Sequence, residues 1–304
     1  KVDDGEFAIL FDSTPFYAES GGQVGDTGQI NSTRGTCEVF DTKKVGNQHV
    51  HLCRNFEGSF SVGDEAELTV KKDRRMNIDS NHSATHLMHS ALRNVLGEHV
   101  EQKGSLVNQD KLRFDFSHPQ ALKPIEIKEI ESQVNKIIDD NIKTEIFETS
   151  FDEAIGSGAL AFFGDKYGDF VRVVKIGGDY SIELCGGTHV QSTNQIKKFK
   201  ILSESSISSG VRRIEAVTGS TANLLIDEEK NELNDIARSF GTSVENLSGK
   251  INDYKNSLKE ILSKLKILEK NNNSNLIKYF ESNFVDINGV NVLMDRIDNL
   301  NLSS

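Results

Sequence analysis

The pattern of apolar and polar positions divides the chain into three parts of different character. Residues 1–75 hold short apolar or alternating runs between glycine-rich stretches, as expected of strands joined by turns. Residues 76–219 mix helical spacing with alternation, and after Gly219 glycine becomes scarce while helix-forming residues dominate. The pattern therefore predicts an α+β protein with a β-rich, barrel-like subdomain, a mixed α+β domain and a helical segment.

Individual runs predict the elements within these parts. One helix is expected over residues 77–97, capped by a residue among 79–81 and ended by Gly97. A second helix is expected after Pro124, where apolar residues recur at helical spacing. The strand-like runs are FAILF, CEVF, HVHL and EAELTV in the first part and KLRFDF, TEIFET, DFVRVVKI, YSIEL, IKKFKIL and VRRIEAV in the second.

Apolar residues near the end of the chain alternate spacings of three and four, which is the heptad pattern of packed helices. They are Val244, Leu247, Ile251, Tyr254, Leu258, Ile261, Leu265 and Leu268. The pattern predicts a helical hairpin or coiled coil over residues 220–280, as an intramolecular helix pair or as the seam of a homodimer. Residues 281–304 are interpreted as the opening strands of a further, truncated domain.

Composition narrows the class of protein. The 304 residues are 36% hydrophobic, enough to bury a core, and no apolar run approaches the roughly 18 residues of a membrane span. Three cysteines without regular spacing favour a reducing cytoplasm. The net charge of −11 argues against bulk attraction to nucleic acid but leaves room for a local binding patch. The first residues are no signal peptide, and a chain without an initial Met is interpreted as part of a longer protein.

Three histidines stand close together in the first predicted helix, where residues 81–89 are NHSATHLMH. At about 100° per residue, His82, His86 and His89 share one narrow face and the apolar residues share the other. We therefore expect the apolar face to pack on a sheet and the histidines to face away from that core. A histidine pair at positions i and i+4 can chelate one Zn²⁺, although such pairs also occur on polar surfaces and in cores.

A second candidate segment is ELCGGTHV, residues 183–190. Cys185 and His189 flank two glycines that permit a tight loop, so that both side chains can be aimed at one point. Combined with His82 and His86 they make a His₃Cys set, which is an allowed set of zinc ligands.

Three further residues with metal-binding side chains have other expected roles. His89 lies one turn beyond the histidine pair; it could replace a ligand, but a place behind a ligand or in the cleft is favoured. Cys37 and Cys53 lie in strand-like runs and are expected to be packing residues.

These motifs resemble those of the alanyl-tRNA synthetase family, in its editing region and the part that follows it. The matching stretches, in the family's order from about residue 8 to residue 219, are FYAESGGQVGDTG, NHSATHLMHSALRNVLGEHVEQKGSLV, LRFDFSH, FFGDKYGDFVRVV, SIELCGGTHV and SGVRRIEAVTG. FFGDKYG departs mildly from the family's LFGxKYG, and no stretch resembles the family's aminoacylation core. The resemblance implies a zinc-dependent editing domain over residues 76–219, which follows the β-rich subdomain of residues 1–75 in the sequence.

The implied activity is hydrolysis of the ester of tRNA(Ala) mischarged with serine or glycine, within an alanine–tRNA ligase. An activation pocket sized for a methyl group rejects serine and glycine only weakly, so a second, hydrolytic site is needed. The implied partners are the acceptor end of tRNA(Ala) and other domains of the same synthetase. Zinc could activate the attacking water, polarise the ester carbonyl or only orient the substrate.

The resemblance also implies roles for single residues. It makes zinc ligands of His82, His86, Cys185 and His189. Thr85 and Gln102 match positions that line the family's editing pocket, and we expect Gln102, with Thr85, to recognise the serine side chain. Without the resemblance, Thr85 would be expected to bond back into its helix and Gln102 to be a surface loop residue.

Two further pairs of adjacent residues, one of glycines and one of arginines, match motifs of the family. Gly21 and Gly22, in ESGGQVG, either form a β-turn or shape the substrate cleft. Arg212 and Arg213 are expected on opposite faces of a strand, one meeting tRNA phosphate and the other an acid such as Glu215. Two alternatives stay open: a zinc-stabilised tRNA-binding or dimerisation module without hydrolysis, and a freestanding trans-editing protein.

Overall fold

The computed structural model describes residues 5–161 and 168–294, and the chain divides into two compact units, residues 1–228 and 229–304. The predicted α+β class is confirmed. The described strands are β1 Phe7–Leu10, β2 Gly28–Ser32, β3 Gly35–Val45, β4 Gln48–Gly58, β5 Ala66–Val70, β6 Gln102–Val107, β7 Leu112–Ser117, β8 Glu145–Ser150, β9 Phe170–Ile176, β10 Ser181–Leu184, β11 Phe199–Ser208, β12 Val211–Thr218, β13 Val285–Ile287 and β14 Val290–Val292. The described helices are α1 Lys72–Leu96, α2 Pro124–Asp139, α3 Phe151–Gly156, α4 Gly219–Ser239 and α5 Leu247–Ser282, and none of them is long and apolar enough to cross a membrane.

The β-rich beginning forms one antiparallel sheet in the order β1-β4-β3-β2-β5. Alternation along the strands sends apolar side chains to one face, where Ile30, Cys37, Val39 and Cys53 pack with Phe16 in a small core. Both cysteines are therefore packing residues, as predicted. The sheet is open, because β1 and β5 lie at its two edges, so the described strands do not close the barrel that the sequence suggested.

Helix α1 begins earlier than the sequence suggested. Its cap is Lys71, and the N–H of Arg75 already bonds to the Lys71 carbonyl at 3.1 Å. The prediction of a cap among residues 79–81 is wrong, because these residues lie inside the helix, and Ser80 bonds back to the carbonyl of Met76. Serine, asparagine and aspartate are typical of helix caps, but inside a helix their side chains can bond to backbone groups instead, so the residue type alone does not identify the cap.

The main core surrounds α1. Leu87, Met88, Ala91 and Leu92 are fully buried in a cluster shared with α2 and the four-stranded sheet β11-β12-β7-β6. The histidines lie on the opposite face of α1, and that face is buried as well. Strands β9 and β10, of the three-stranded sheet β10-β9-β8, contact α1, and the loop that follows β10 covers the histidines.

The second unit contains α5 and the hairpin β13–β14. The predicted apolar stripe lies on α5 except for Val244, which precedes the helix, and Leu258 and Ile261 remain more than half exposed. The end of the predicted further domain, residues 295–304, and most of the FFGDKYG motif, residues 162–167, lie outside the described residues. The domain boundaries at residues 75, 219 and 280 stay predictions.

Candidate metal centre

Four side chains converge between α1 and the loop that follows β10: His82, His86, Cys185 and His189. The Sγ of Cys185 lies 3.3 Å from the Nε2 of His189 and 3.5 Å from the Nε2 of His82. One potential ligand atom from each of the four lies within 4.8 Å of all the others. Zinc bonds of about 2.3 Å to sulfur and about 2.0 Å to nitrogen, at a tetrahedral angle, separate the two atoms by about 3.5 Å. The donor set and the two sulfur–nitrogen distances therefore fit a tetrahedral metal ion.

Cys185 and His189 are in protonation states that favour metal binding, whereas at His86 the effect of burial is outweighed by Glu183 and Cys185, which raise the pKa of that imidazole to about 9. Burial alone would raise the pKa of the Cys185 thiol, but His82, His189 and His86 together lower it well below its usual value. Burial lowers the pKa of His189 to about 3, so this imidazole is neutral near pH 7. A thiolate and a neutral imidazole are the forms in which these side chains bind a metal.

Each histidine of the set meets a different side chain at its other ring nitrogen. The Nδ1 of His82 lies 2.7 Å from Oε1 of Gln23, the Nδ1 of His189 lies 3.1 Å from Oγ of Ser83, and the Nδ1 of His86 lies 3.1 Å from Oε2 of Glu183. The hydrogen bonds of His82 and His189 are of the kind that holds a ligating ring in one orientation and one tautomer, whereas the Nδ1 of His86 is near Glu183 without forming a hydrogen bond. The Nε2 atoms of His82 and His189 are thereby directed at the thiol.

His89, the third histidine of the motif, is not in the ligand set. It is 1% exposed, and its Nδ1 lies 2.9 Å from Oε1 of Glu183, whose other oxygen is the one beside His86. The same carboxylate therefore faces two histidines of α1, one turn apart. This position behind a ligand is the role that the sequence favoured for His89.

The loop between Cys185 and His189 needs its second glycine. A Cβ on Gly187 would lie 2.1 Å from Cε1 of the His82 ring, which is far inside van der Waals contact. Arg172 supports the same loop, because its Nη1 donates to the carbonyls of Cys185 and Gly187 at 2.6 and 2.9 Å. The loop therefore packs directly against a ligand on α1.

A cavity of about 590 Å³ opens beside the cluster. Its wall includes Thr85, Gln102 and Gly21 together with three of the potential ligands, and Gly22 is not part of it. The Thr85 hydroxyl donates to the carbonyl of Asn81 at 2.8 Å, which leaves its oxygen able to accept a hydrogen bond. The structure thus brings most of the sequence's candidates to one cavity.

Comparison with known proteins gives two family matches and a set of close relatives. The family described as "Threonyl and Alanyl tRNA synthetase second additional domain" matches residues 171–215, and the family "tRNA synthetases class II (A)" matches residues 2–74. The chain is 48% identical over 297 residues to the alanine–tRNA ligase of Acetivibrio thermocellus and 46% identical over 296 residues to that of Saccharophagus degradans. Both alignments cover 97% of this chain and 34% of the relative, so the chain spans about a third of the length of the curated relatives it matches.

The chain belongs to the alanyl-tRNA synthetase family. The resemblance inferred from the motifs is confirmed, since the relatives align along nearly the whole chain. The matched segment 171–215 contains both Cys185 and His189.

The two arginines of the family's RRIEA motif are engaged in ion pairs. Arg212 is paired with Glu204, and Arg213 forms two bonds of 2.7 Å with Asp115, while Glu215 is paired with Lys111 instead. Neither arginine lines the cavity wall. The predicted contact of one of the two arginines with tRNA phosphate stays a prediction, and it would need the ion pair of that arginine to share or exchange its partner.

The residues that lie at the Nδ1 atoms of the three candidate histidine ligands were not identified from the sequence. Gln23, Ser83 and Glu183 stand inside or beside quoted family motifs, but their spacing from the ligands carries no chelation signal. Gln23 and His82 are 59 positions apart, and Ser83 and His189 are 106 positions apart. Contacts over such separations are set by how the sheets pack on α1, which local patterns do not encode.

Proposed function

We propose that this chain hydrolyses the ester of tRNA(Ala) mischarged with serine or glycine, at a Zn²⁺ centre held by His82, His86, Cys185 and His189. The cavity beside the cluster carries the proposal, because Thr85 and Gln102 line it together with three of these ligands. A ligase that selects alanine faces serine and glycine as competitors that differ by one small group, so a hydrolytic site has a physical purpose. The acceptor end of tRNA(Ala) would be the partner, with further domains of the synthetase contributing to tRNA binding in the cytoplasm.

The protein's own groups would orient the substrate. Bound zinc would supply Lewis acidity toward the ester carbonyl or toward a water molecule. Gln102, at the start of β6, can offer an amide oxygen or N–H to the serine hydroxyl, and Thr85 can offer its hydroxyl oxygen. Alanine lacks the hydroxyl and would leave these groups unpaired in the occupied cavity, which disfavours its binding. Glycine lacks the hydroxyl as well, so this selection accounts for serine and not for glycine.

The function is tested by following Ser-tRNA(Ala) and Ala-tRNA(Ala) with the purified chain, before and after treatment with a chelator. We expect rapid loss of serine, sparing of alanine, and loss of activity with the metal that readded Zn²⁺ restores. Metal-loaded chain that leaves both esters intact, including when the rest of the synthetase is supplied, would contradict the proposal and favour a binding module.

Replacing Gln102 with alanine is expected to reduce discrimination while the metal stays bound. Removing a hydrogen bond used for selection costs about 1–2 kcal/mol, so the ratio of kcat/KM for Ser-tRNA(Ala) over Ala-tRNA(Ala) should fall about 10-fold. Lys103→Ala is the matched control, because Lys103 is the exposed neighbour on the same strand and pairs with Glu101. An unchanged ratio in Gln102→Ala would remove Gln102 from the selective site.

The exposed stripe on α5 supports an additional partner. Leu258, Ile261 and Leu265 are each about half exposed and lie at heptad spacing, an arrangement that packs against another helix in coiled coils. We propose that a second copy of the chain covers it, and sedimentation equilibrium tests this. This homodimer would coexist with the hydrolytic site rather than replace it.

A further inference from the structure

Gln23 is the only one of the three partners behind the ligands that comes from the β-rich beginning of the described chain. Its side chain is fully buried. It contacts His82 and Thr188, which are 59 and 165 positions away in the sequence. Its Oε1 lies 2.7 Å from the Nδ1 of His82 and accepts from the N–H of Thr188 at 2.9 Å. Its Nε2 donates to the hydroxyl of Thr188 at 2.8 Å.

These contacts determine the tautomer of His82. The backbone N–H of Thr188 can only donate, so the atom that it meets must be the oxygen of the Gln23 amide. The same oxygen can only accept, and therefore the Nδ1 of His82 must carry the proton. The proton on Nδ1 leaves the lone pair on Nε2, which is the nitrogen 3.5 Å from the Cys185 sulfur.

The glycine motif places Gln23 at this point. Gly21 and Gly22 have φ of 61° and 89°, and Ser20 and Gln23 bond to each other across them, as in a tight turn that favours glycine. A Cβ on Gly22 would lie 2.4 Å from the carbonyl oxygen of Ser105, so the turn fits against β6 only with glycine there. The N–H of Val107 then donates to the carbonyl of Gly22 at 2.8 Å.

The segment that carries Gln23 is also held in place by Asp26, three residues further along the chain. The buried carboxylate of Asp26 pairs with Arg75 near the start of α1, with one bond of 2.9 Å from Nε. It accepts the N–H of Tyr17 at 2.7 Å as well. Gln23 therefore sits between two anchored points, so its amide reaches His82 with little freedom to move.

We propose that Gln23 is a positioning residue of the metal centre: it fixes the tautomer and ring orientation of His82 and joins the β-rich beginning of the chain to the loop of Cys185 and His189. The proposal rests on the metal site of the proposed function but not on its substrate. Removing such a partner behind a ligand weakens metal binding by about 10- to 100-fold.

The test measures Co²⁺ binding and its visible d–d absorption in Gln23→Met and Gln23→Glu. Methionine has similar length but neither accepts from His82 effectively nor bonds to Thr188, so we expect Co²⁺ affinity to fall by about 10- to 100-fold with an altered spectrum. Glutamate keeps an acceptor for both N–H groups and should stay within about 3-fold of the unaltered chain. Gln29→Met is the matched control, because Gln29 is exposed on β2 of the same sheet.

Unaltered affinity and spectrum in Gln23→Met, with far-UV circular dichroism showing a folded chain, would overturn the proposal. If Gln23→Met does not fold, ¹⁵N NMR of the Zn²⁺-loaded unaltered chain decides. A protonated, slowly exchanging Nδ1 on His82 is expected, and a metal-bound or rapidly exchanging Nδ1 would overturn the proposal. Because these readouts are metal affinity and tautomer, they are independent of whether the chain hydrolyses Ser-tRNA(Ala).

Discussion

Replacing Cys185 with alanine is expected to abolish metal binding and deacylation together. The thiolate is the one sulfur ligand of the set and lies 3.3–3.5 Å from the nitrogens of His189 and His82, so no other described donor takes its place in the cluster. If zinc lowers the barrier by several kcal/mol, hydrolysis of Ser-tRNA(Ala) should slow by about 1,000-fold or more. Metal content by atomic absorption and single-turnover deacylation measure the two effects.

The control for this substitution is Cys53→Ala. Cys53 is fully buried in the core of the first sheet and is not part of the metal cluster, so its loss removes a packing sulfur only. That variant should keep one metal per chain and its activity, at some cost in stability. Full metal content and full activity in Cys185→Ala would show that the ligand set is wrong.

Gly187→Ala is expected to have the second largest effect, although it removes no ligand. The added Cβ would meet Cε1 and Nδ1 of His82 at 2.1 and 2.5 Å and Oε1 of Gln23 at 2.7 Å. Since the ring cannot remain where it is, we expect metal affinity to fall by roughly 100-fold, with a matching loss of deacylation at limiting zinc. Competition with a chromophoric chelator measures the affinity.

Gly186→Ala is a close control for this prediction. A Cβ on Gly186 meets nothing within 4 Å, and this glycine has no positive φ, so alanine fits without strain. The two variants differ by one position in the same CGGTH loop. Equal metal affinities in both would contradict the packing of Gly187 against His82.

Local chemistry in the sequence was enough to single out the four candidate ligands and many of the elements. The spacing of His82 and His86 places both on one side of any helix, and Cys185 and His189 flank glycines that permit a tight loop. Strands such as β7 and β9 follow from their alternating or apolar runs, and α2 from its periodicity after Pro124. β6 was missed, because QKGSLV contains a glycine and has little apolar alternation.

The start of α1 shows where local rules failed. Residues 79–81 have side chains that are typical of a helix cap, but they lie inside α1. Their polar groups find partners there: Asn81, for example, donates to the carbonyl of Asn108 and accepts from the hydroxyl of Thr218. The helix pattern likewise gave no indication of what contacts the histidine face. In the fold it is covered by the loop after β10, so all three histidines of the motif are buried.

The sequence by itself determined the class of fold, the family and the four candidate ligands, since these depend on residue type and on spacing within a helix or a loop. Only the tertiary structure decided what lies behind the ligands. It brought Gln23, Ser83 and Glu183 to the three imidazoles, and it paired Arg212 and Arg213 with Glu204 and Asp115. The physical reason is that a buried polar group must find a partner wherever packing places it, and such partners come from any part of the chain.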